Sequence, residues 1–133
     1  MIQSIDQGSG KISIWGDGHQ TRSFMYIDDC TKGIDLIMHC DDLIATPINL
    51  GSSELVSIND LVSKVEKIAG IQLKREYDLS APRGVAGRNS DNTFIQKVLQ
   101  WEPNTSLDNG LRQTYKWIKE QYEARKKGKR VVE

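Results

Sequence analysis

The chain has 133 residues, which is enough for one domain with its own hydrophobic core. It carries 18 basic and 18 acidic residues, and this zero net charge argues against a dedicated nucleic-acid-binding protein. No apolar run approaches the about 18 residues of a membrane-spanning helix, and the polar opening residues do not resemble a signal peptide. Cys30 and Cys40 match neither a CxxC motif nor a zinc-ligand spacing, so we expect reduced thiols in a cytoplasmic protein without a metal site.

The first half of the chain suggests a strand–helix–strand unit. The first eleven residues are polar and contain glycine, as in a flexible start or a piece of something longer. Alternating residues then predict two strands, Ile12–Trp15 and Ser23–Ile27, joined by a glycine turn. Asp28 or Asp29 is expected to cap a helix that ends near Cys40–Asp42. A third strand, Pro47–Leu50, would complete a parallel βαβ unit. The apolar stripe expected on that helix comprises Cys30, Ile34, Ile37 and Met38.

The second half predicts three more helices. Ser57–Asp60 resembles a capping box, and it opens a helix that Gly70 ends. The strand Ile71–Tyr77 and a loop over residues 80–90 come next. A short helix capped by Ser90 or Asp91 is broken at Trp101–Pro103, and a long helix covers residues 107–125. The apolar face predicted for the helix after Ser57 comprises Ile58, Leu61, Val62, Val65, Ile68 and Ala69. The basic tail Lys126–Arg130 is expected to be a solvated end.

Two arginines are candidates for binding an anion. Arg22 follows a turn built on Gly16 and Gly18, and Arg88 lies in a glycine-containing loop. If the two loops meet, their forked donors would suit the acceptor oxygens of a diphosphate; the alternative for each is an ordinary surface arginine. Arg83 is a weaker third candidate. There is no GxGxxG or P-loop motif, so the chain shows no phosphate cradle for a cofactor of its own.

Five blocks of residues, in order from about Ile12 to Glu120, resemble the C-terminal part of extended short-chain dehydrogenase/reductases. These enzymes form the NAD-dependent epimerase/dehydratase family, and the blocks are most similar to its GDP-mannose 3,5-epimerase branch. The blocks are Trp15-Gly-Asp-Gly-x-Gln-Thr-Arg-Ser-Phe-x-Tyr-Ile-Asp-Asp29, Asn49-Leu-Gly-Ser-x-Glu-x-Val-Ser57, Gly87-Arg-Asn-Ser-Asp-Asn92, Leu99-x-Trp-x-Pro103 and Gly110-Leu-x-x-Thr-Tyr-x-Trp-Ile118.

The resemblance implies an α/β fold: the C-terminal, substrate-binding portion of a Rossmann-like enzyme, with short mixed or parallel strands and about four helices. It implies that residues 1–133 form a single domain that covers a nucleotide-sugar, GDP-hexose, held against an N-terminal Rossmann domain. Gln20, Thr21, Arg22 and Arg88 match positions that contact substrate, while Asp28, Asp29 and Trp101 are interpreted as structural.

The resemblance also implies which parts are missing. NAD would belong to the parent enzyme, and we expect none to bind this chain alone. The dinucleotide fingerprint, the catalytic Tyr-x-x-x-Lys and the acid/base cysteine and lysine are expected upstream, so the chain is predicted to contain no catalytic residue. We also expect homo-oligomers through faces left uncovered by the missing domain. The alternative hypothesis is a standalone nucleotide- or protein-binding module without activity, and nucleic-acid binding by the basic tail is the weakest hypothesis.

Overall fold

A computed structural model describes residues 1–82 and 84–128, and within them five helices and five short strands alternate along the chain. The predicted α/β class is therefore confirmed, with one helix more than expected. The helices are α1 Ile2–Asp6, α2 Ile27–Met38, α3 Ile58–Ala69, α4 Thr93–Leu99 and α5 Leu107–Lys126. The strands are β1 Lys11–Trp15, β2 Thr21–Ser23, β3 Leu55–Ser57, β4 Lys74–Asp78 and β5 Gly87–Arg88. A single 3₁₀ turn covers Asp41–Leu43.

The strands form two small sheets. β1 lies parallel to β4, with Ile14 opposite Tyr77. In the second sheet β2 is central, antiparallel to β3 and parallel to β5. The predicted parallel βαβ unit is wrong, because residues 47–50 form no strand. An extended segment becomes a strand only when a neighbour pairs with its backbone, and the described part of the chain supplies no such neighbour there.

The second predicted strand is also displaced. The alternation in Ser23–Ile27 indicated a strand, but β2 covers Thr21–Ser23 because its partner β3 is only three residues long. α2 then begins at Ile27 with Tyr26 as its N-cap, and no side chain caps it. Asp28 and Asp29 therefore lie in the first turn of α2 and are not its cap, contrary to the prediction.

α2 packs on a different face from the one that its apolar stripe predicted. Its buried residues are Asp29 and Gly33. A Cβ added to Gly33 would lie 2.5 Å from Leu50 and 3.0 Å from the Trp101 ring, so the helix approaches its neighbours through the missing side chain. Ile34 and Met38 instead remain 47% and 76% exposed. Cys30 and Ile37 of the predicted stripe are half-buried, so Ile34 and Met38 form the exposed part of this α2 stripe.

α3 follows its prediction closely. Ser57 is the N-cap and its hydroxyl accepts a hydrogen bond from the Asp60 N–H at 3.0 Å. The Asp60 carboxylate accepts from the same hydroxyl at 2.6 Å, which fixes the capping box. Gly70 ends the helix in the left-handed conformation at φ 67°. Val62 is buried, and the other predicted apolar residues of the face are half-buried.

The core lies mainly beneath α3 and α5. α5 agrees with the helix predicted over residues 107–125, and the Lys64 ammonium of α3 donates to the Asp108 carboxylate of α5 at 2.7 Å. Ile95 of α4 is fully buried. The N-cap position of α4 is Asn92, whose side chain makes no capping bond, and the predicted cap Asp91 accepts from the Thr93 N–H at 3.0 Å from one position earlier. The buried apolar residues are Ile14, Leu43, Val56, Val62, Leu73, Ile95 and Leu107.

Two segments differ from the predicted loops. The opening residues form α1, where the Asp6 carboxylate accepts hydrogen bonds from Tyr122 and Lys126 at the end of α5. The loop over residues 80–90 contains β5. The tail predicted over Lys126–Arg130 is described only as far as Gly128, and its last two residues lie outside the described residues.

Two carboxylates, buried Asp29 and exposed Glu54, organise the segment that enters α5. Asp29, only 7% exposed, accepts hydrogen bonds from the backbone N–H groups of Asn104 and Thr105 at 3.1 and 2.8 Å. Glu54 accepts from the Leu107 N–H at 2.9 Å, the first residue of α5. Backbone donors that would otherwise be buried without partners are thereby satisfied. Asp29 therefore has a structural role, although not the role of helix cap that its sequence position predicted.

Asp29→Ala should lower the free energy of unfolding by about 2–4 kcal/mol, because two backbone donors lose a charged acceptor. Asp28→Ala is the matched control, since this neighbouring carboxylate is exposed in the same helical turn. It should cost no more than about 1 kcal/mol, the size of a helix-dipole interaction. Urea unfolding of both variants measures the difference, and equal losses would contradict the assigned role of Asp29.

Candidate functional site

The candidate site begins at the turn between β1 and β2. Gly16 and Gly18 both have φ of 75°, a left-handed conformation that glycine adopts without strain. The Asp17 carboxylate accepts a hydrogen bond from the His19 N–H at 3.0 Å and so closes the turn. A Cβ on Gly18 would lie 2.4 Å from Asn59 Oδ1, so this position also requires glycine for space. The glycines predicted to shape the turn do so.

The N-terminus of α3 holds this turn in place. The first N–H groups of α3 have no partner inside the helix, and they donate to the turn: Ile58 N–H to Gln20 O at 3.2 Å and Asn59 N–H to Gly18 O at 3.0 Å. The Asn59 side chain also donates from Nδ2 to Asp17 O at 3.1 Å and accepts from the Tyr77 hydroxyl at 3.0 Å. The turn is therefore bonded to both α3 and β4.

The two candidate arginines are neighbours in the sheet. Arg22 of β2 is in register with Arg88 of β5 on one side and with Val56 of β3 on the other. Residues directly paired across strands project from the same face, and adjacent strands lie about 4.8 Å apart. Val56 is buried, Arg22 is half-buried and Arg88 is exposed. These three paired residues therefore form a row across the sheet that runs from the core to the surface. The structure brings together the two loops that the sequence could not show to meet.

The Arg22 guanidinium lies along the loop that precedes β5. Its Nη1 donates to the backbone carbonyl of Thr21 at 2.6 Å. A Cβ on Gly84 would lie 3.5 Å from Arg22 Nη2, which shows how closely that loop passes. Arg83, the third candidate cation, lies outside the described residues.

Gln20 and Thr21 are placed differently from the arginines. Gln20 Nε2 donates to Trp15 O at 2.8 Å across the turn, and Gln20 Oε1 is buried without a hydrogen-bond partner among the described residues. Thr21 precedes Arg22 and so projects from the opposite face of β2, over Gly87 of β5. A Cβ on Gly87 would lie 2.7 Å from Thr21 Oγ1. Only the arginine pair shares one face, and all four residues remain predictions as substrate contacts.

A separate apolar groove of about 680 Å³ runs between α5 and the segment after β2. It is lined by Phe24, Tyr26, Ile27, Leu111 and Trp117 among others, and none of the four candidate residues lines it. Within residues 1–82 and 84–128, no group of three metal-ligating side chains comes together, and no helix is long and apolar enough to cross a membrane.

The N-termini of α3 and α5 do not offer a cradle for a dinucleotide. Such a cradle needs free backbone N–H groups at a glycine-rich turn between a strand and a helix. The strand-to-helix junction at Ser57, between β3 and α3, has no glycine, and its N–H groups bond to the Ser57 hydroxyl and the glycine turn. The N–H of Leu107 at the start of α5 bonds to Glu54. These two helix N-termini therefore do not fit an NAD pyrophosphate.

The expectation that the Tyr-x-x-x-Lys spacing is missing is wrong. It occurs twice in α5, as Tyr115 with Lys119 and Tyr122 with Lys126. The Tyr122 hydroxyl donates to Asp6, and this hydrogen bond raises the pKa of Tyr122. A tyrosine that acts as a base needs a pKa shifted toward neutrality. Positions four apart share one face of a helix, and here both Tyr/Lys pairs lie on the face of α5 that lines the cavity against α1.

Sequence reasoning missed Asn59 and Tyr77. Asn59 stands in the second position of a well-capped helix, where asparagine is a poor helix former. That mismatch was a signal that its side chain has another task. Tyr77 was assigned only to a strand, and nothing in its local sequence indicates that its hydroxyl would meet Asn59.

Known sequences match most of the chain. The family model described as GDP-mannose 4,6 dehydratase matches residues 1–114. GDP-mannose 3,5-epimerase of Arabidopsis thaliana is 44% identical over 116 residues, which are 87% of this chain and 30% of that protein. UDP-glucuronate 4-epimerase of Thermodesulfobacterium geofontis is 38% identical over 84% of this chain and 34% of its own length. The chain thus spans about a third of the length of these relatives.

Solved structures share the fold. UDP-glucuronic acid 4-epimerase of Bacillus cereus, in complex with UDP-glucuronic acid and NAD, superposes with a TM-score of 0.80. It is 34% identical, and the match covers 90% of this chain and 38% of that one. The Rossmann-like character and the resemblance to GDP-mannose 3,5-epimerase are confirmed. The chain belongs to the GDP-mannose 4,6-dehydratase family, within the NAD-dependent epimerases and dehydratases of the extended short-chain dehydrogenase/reductases.

Proposed function

We propose that the chain is the C-terminal, substrate-binding part of an NAD-dependent nucleotide-sugar epimerase, in which it holds the diphosphate of a GDP-hexose. The observation that carries this proposal is the register of Arg22 with Arg88 on neighbouring strands. Two guanidinium groups on one face present paired donors at a spacing that suits two linked phosphates. Gln20 and Thr21 are proposed to border the same ligand from the turn and the start of β2.

The nucleotide is proposed from the relatives. The Bacillus cereus structure holds a UDP-sugar and NAD, and the relative with 44% identity is a GDP-mannose enzyme. The diphosphate is common to both kinds of nucleotide-sugar, so the arginine pair serves either. The Gln20-Thr-Arg-Ser-Phe24 and Gly87–Asn92 blocks resemble the GDP-mannose branch and favour guanosine.

The catalytic steps are assigned to residues outside this chain. The N-termini of α3 and α5 offer no free N–H groups to a dinucleotide, Tyr122 and Lys126 bond to Asp6 of α1, and Tyr115 and Lys119 line the cavity between α1 and α5. When bound to the whole enzyme, NAD would supply the oxidation and reduction that the family name requires. The residues of this chain orient the nucleotide and hold its charge.

Two features favour part of an enzyme over a standalone binding module. The α2 stripe is exposed, with Met38 at 76% and Ile34 at 47%. Residues 47–50 have a strand-like sequence but no strand to pair with in the described part of the chain. Both features suit a Rossmann domain packed against α2, whereas a self-sufficient module would bury its own apolar face.

Arg22→Ala and Arg88→Ala should each weaken the binding of GDP to the purified chain by about tenfold or more, since each removes charge-assisted hydrogen bonds. Wild-type affinity is expected to be no better than high micromolar without the rest of the enzyme. Titration followed by NMR amide shifts measures this range. Arg112→Ala, an exposed arginine on α5, is the control and should bind GDP normally. Unchanged affinity in both site variants would remove them from the site.

The chain alone, with NAD added, should neither epimerise nor oxidise GDP-mannose, because its residues form no dinucleotide site. Chromatographic analysis of the sugar nucleotide after prolonged incubation checks this. Turnover that survives repurification of the chain would contradict the proposal, because this chain would then contain the catalytic machinery.

The exposed α2 stripe should make the isolated chain self-associate at high concentration. Sedimentation analysis should show a concentration-dependent dimer, which the double substitution Ile34→Glu and Met38→Glu abolishes by placing charge in the apolar contact. Lys97→Glu on the exposed side of α4 is the control and should leave association unchanged. A wild-type chain that stays monomeric at all concentrations would count against an uncovered docking face.

A further inference from the structure

We propose that Asn59 is a positioning residue that sets the glycine turn and, through it, the Arg22 guanidinium. This inference rests on the proposed function, because it concerns how the diphosphate-binding arginine is held. Asn59 is not itself a substrate contact in this proposal. It acts through the turn that leads into β2.

Asn59 uses three of its polar groups on the elements around the turn. Its backbone N–H donates to Gly18 O at 3.0 Å and its Nδ2 donates to Asp17 O at 3.1 Å. Its Oδ1 accepts from the Tyr77 hydroxyl at 3.0 Å, which fixes the side chain from β4. Two successive carbonyls of the turn are therefore held by one residue whose own side chain is anchored on a second element.

The fit between Asn59 and the turn is steric as well as polar. A Cβ on Gly18 would meet Asn59 Oδ1, Cγ and Nδ2 at 2.4, 2.6 and 2.7 Å. The side-chain amide thus fills the space beside Gly18 and limits the turn to one path. Gly18, at φ 75°, is the residue whose conformation Asn59 selects.

The path from Asn59 to Arg22 is short and stiff. Ile58, next to Asn59, donates to Gln20 O, and β2 begins one residue later at Thr21. Val56 of β3, three residues before Asn59, is in register with Arg22 itself. The segment 56–59 therefore fixes β2 at Arg22 and at the turn that precedes it.

Helix formation does not account for Asn59. The N-cap task belongs to Ser57, whose hydroxyl accepts from the Asp60 N–H. Asparagine inside a helix is less favourable than alanine. The hydrogen bonds of the Asn59 side chain to Asp17 O and Tyr77 explain why a polar residue occupies this position.

The test compares Asn59→Ala with Asp60→Ala in the full chain, with GDP and GMP as probes and NMR amide shifts as the readout. Asp60 belongs to the same helix end, but within the described residues its carboxylate accepts from the Ser57 hydroxyl and its N–H donates to the same oxygen, both away from the turn. Asn59→Ala should weaken GDP binding about five- to tenfold and leave GMP binding nearly unchanged, because only the diphosphate depends on Arg22. Asp60→Ala should lower the melting temperature without altering the preference for GDP over GMP.

Amide hydrogen exchange separates this inference from the proposed function. If the wild-type chain binds no GDP, the proposed function fails, and exchange of the His19, Gln20 and Thr21 amides then decides the role of Asn59. Exchange that is about tenfold faster in Asn59→Ala, but not in Asp60→Ala, supports the positioning role. Unchanged exchange, an unchanged preference for GDP, or an equal loss of GDP and GMP affinity would overturn it.

Discussion

The structure depends on one junction, where the N-terminus of α3 meets the glycine turn before β2. A helix begins with N–H groups that its own carbonyls cannot satisfy. Here those of Ile58 and Asn59 bond to the carbonyls of Gln20 and Gly18, so two irregular backbone segments satisfy each other. The junction links α3 to β1, β2 and β4 at once. Elements of only two to five residues acquire defined positions because a twelve-residue helix is their common anchor.

The same physical device recurs where the chain enters α5. β2, β3 and β5 are short strands that bury little apolar surface and pair weakly. The loops beside them therefore need hydrogen-bond acceptors for their own backbone N–H groups. Buried Asp29 and exposed Glu54 provide them, as carboxylates that accept hydrogen bonds from backbone N–H groups. The Arg22–Arg88 register is thus supported by contacts made outside its sheet. Arg22 lies beside buried Val56 and is itself half-buried, whereas Arg88 is exposed on the edge strand β5.

The sequence predicted best those elements that carry their own start and stop signals. α3 has the Ser57 capping box and Gly70, and α5 follows a proline break, so both were placed to within a residue or two. The failures involve partners that local sequence cannot specify. β2 is set by the three residues of β3, and β5 exists because Thr21 and Arg22 lie beside it. The sequence was sufficient to propose Arg22 and Arg88 as candidates. Their register across β2 and β5, and the role of Asn59, could be seen only in the folded structure.

The remaining failures are of another kind, since they share one location. The α2 stripe has helical periodicity, residues 47–50 alternate like a strand, and Gly33 lets α2 lie close to Leu50. Under the proposed function, local patterns that agree with one another but not with the structure around them belong to a surface that packs against another part of a longer enzyme. The relatives are about three times as long, which provides room for such an environment. Under that proposal, the apolar side of α2 is a surface between two parts of an enzyme. The arginine pair would then form one wall of the substrate site, and the α2 surface would help to position the other wall.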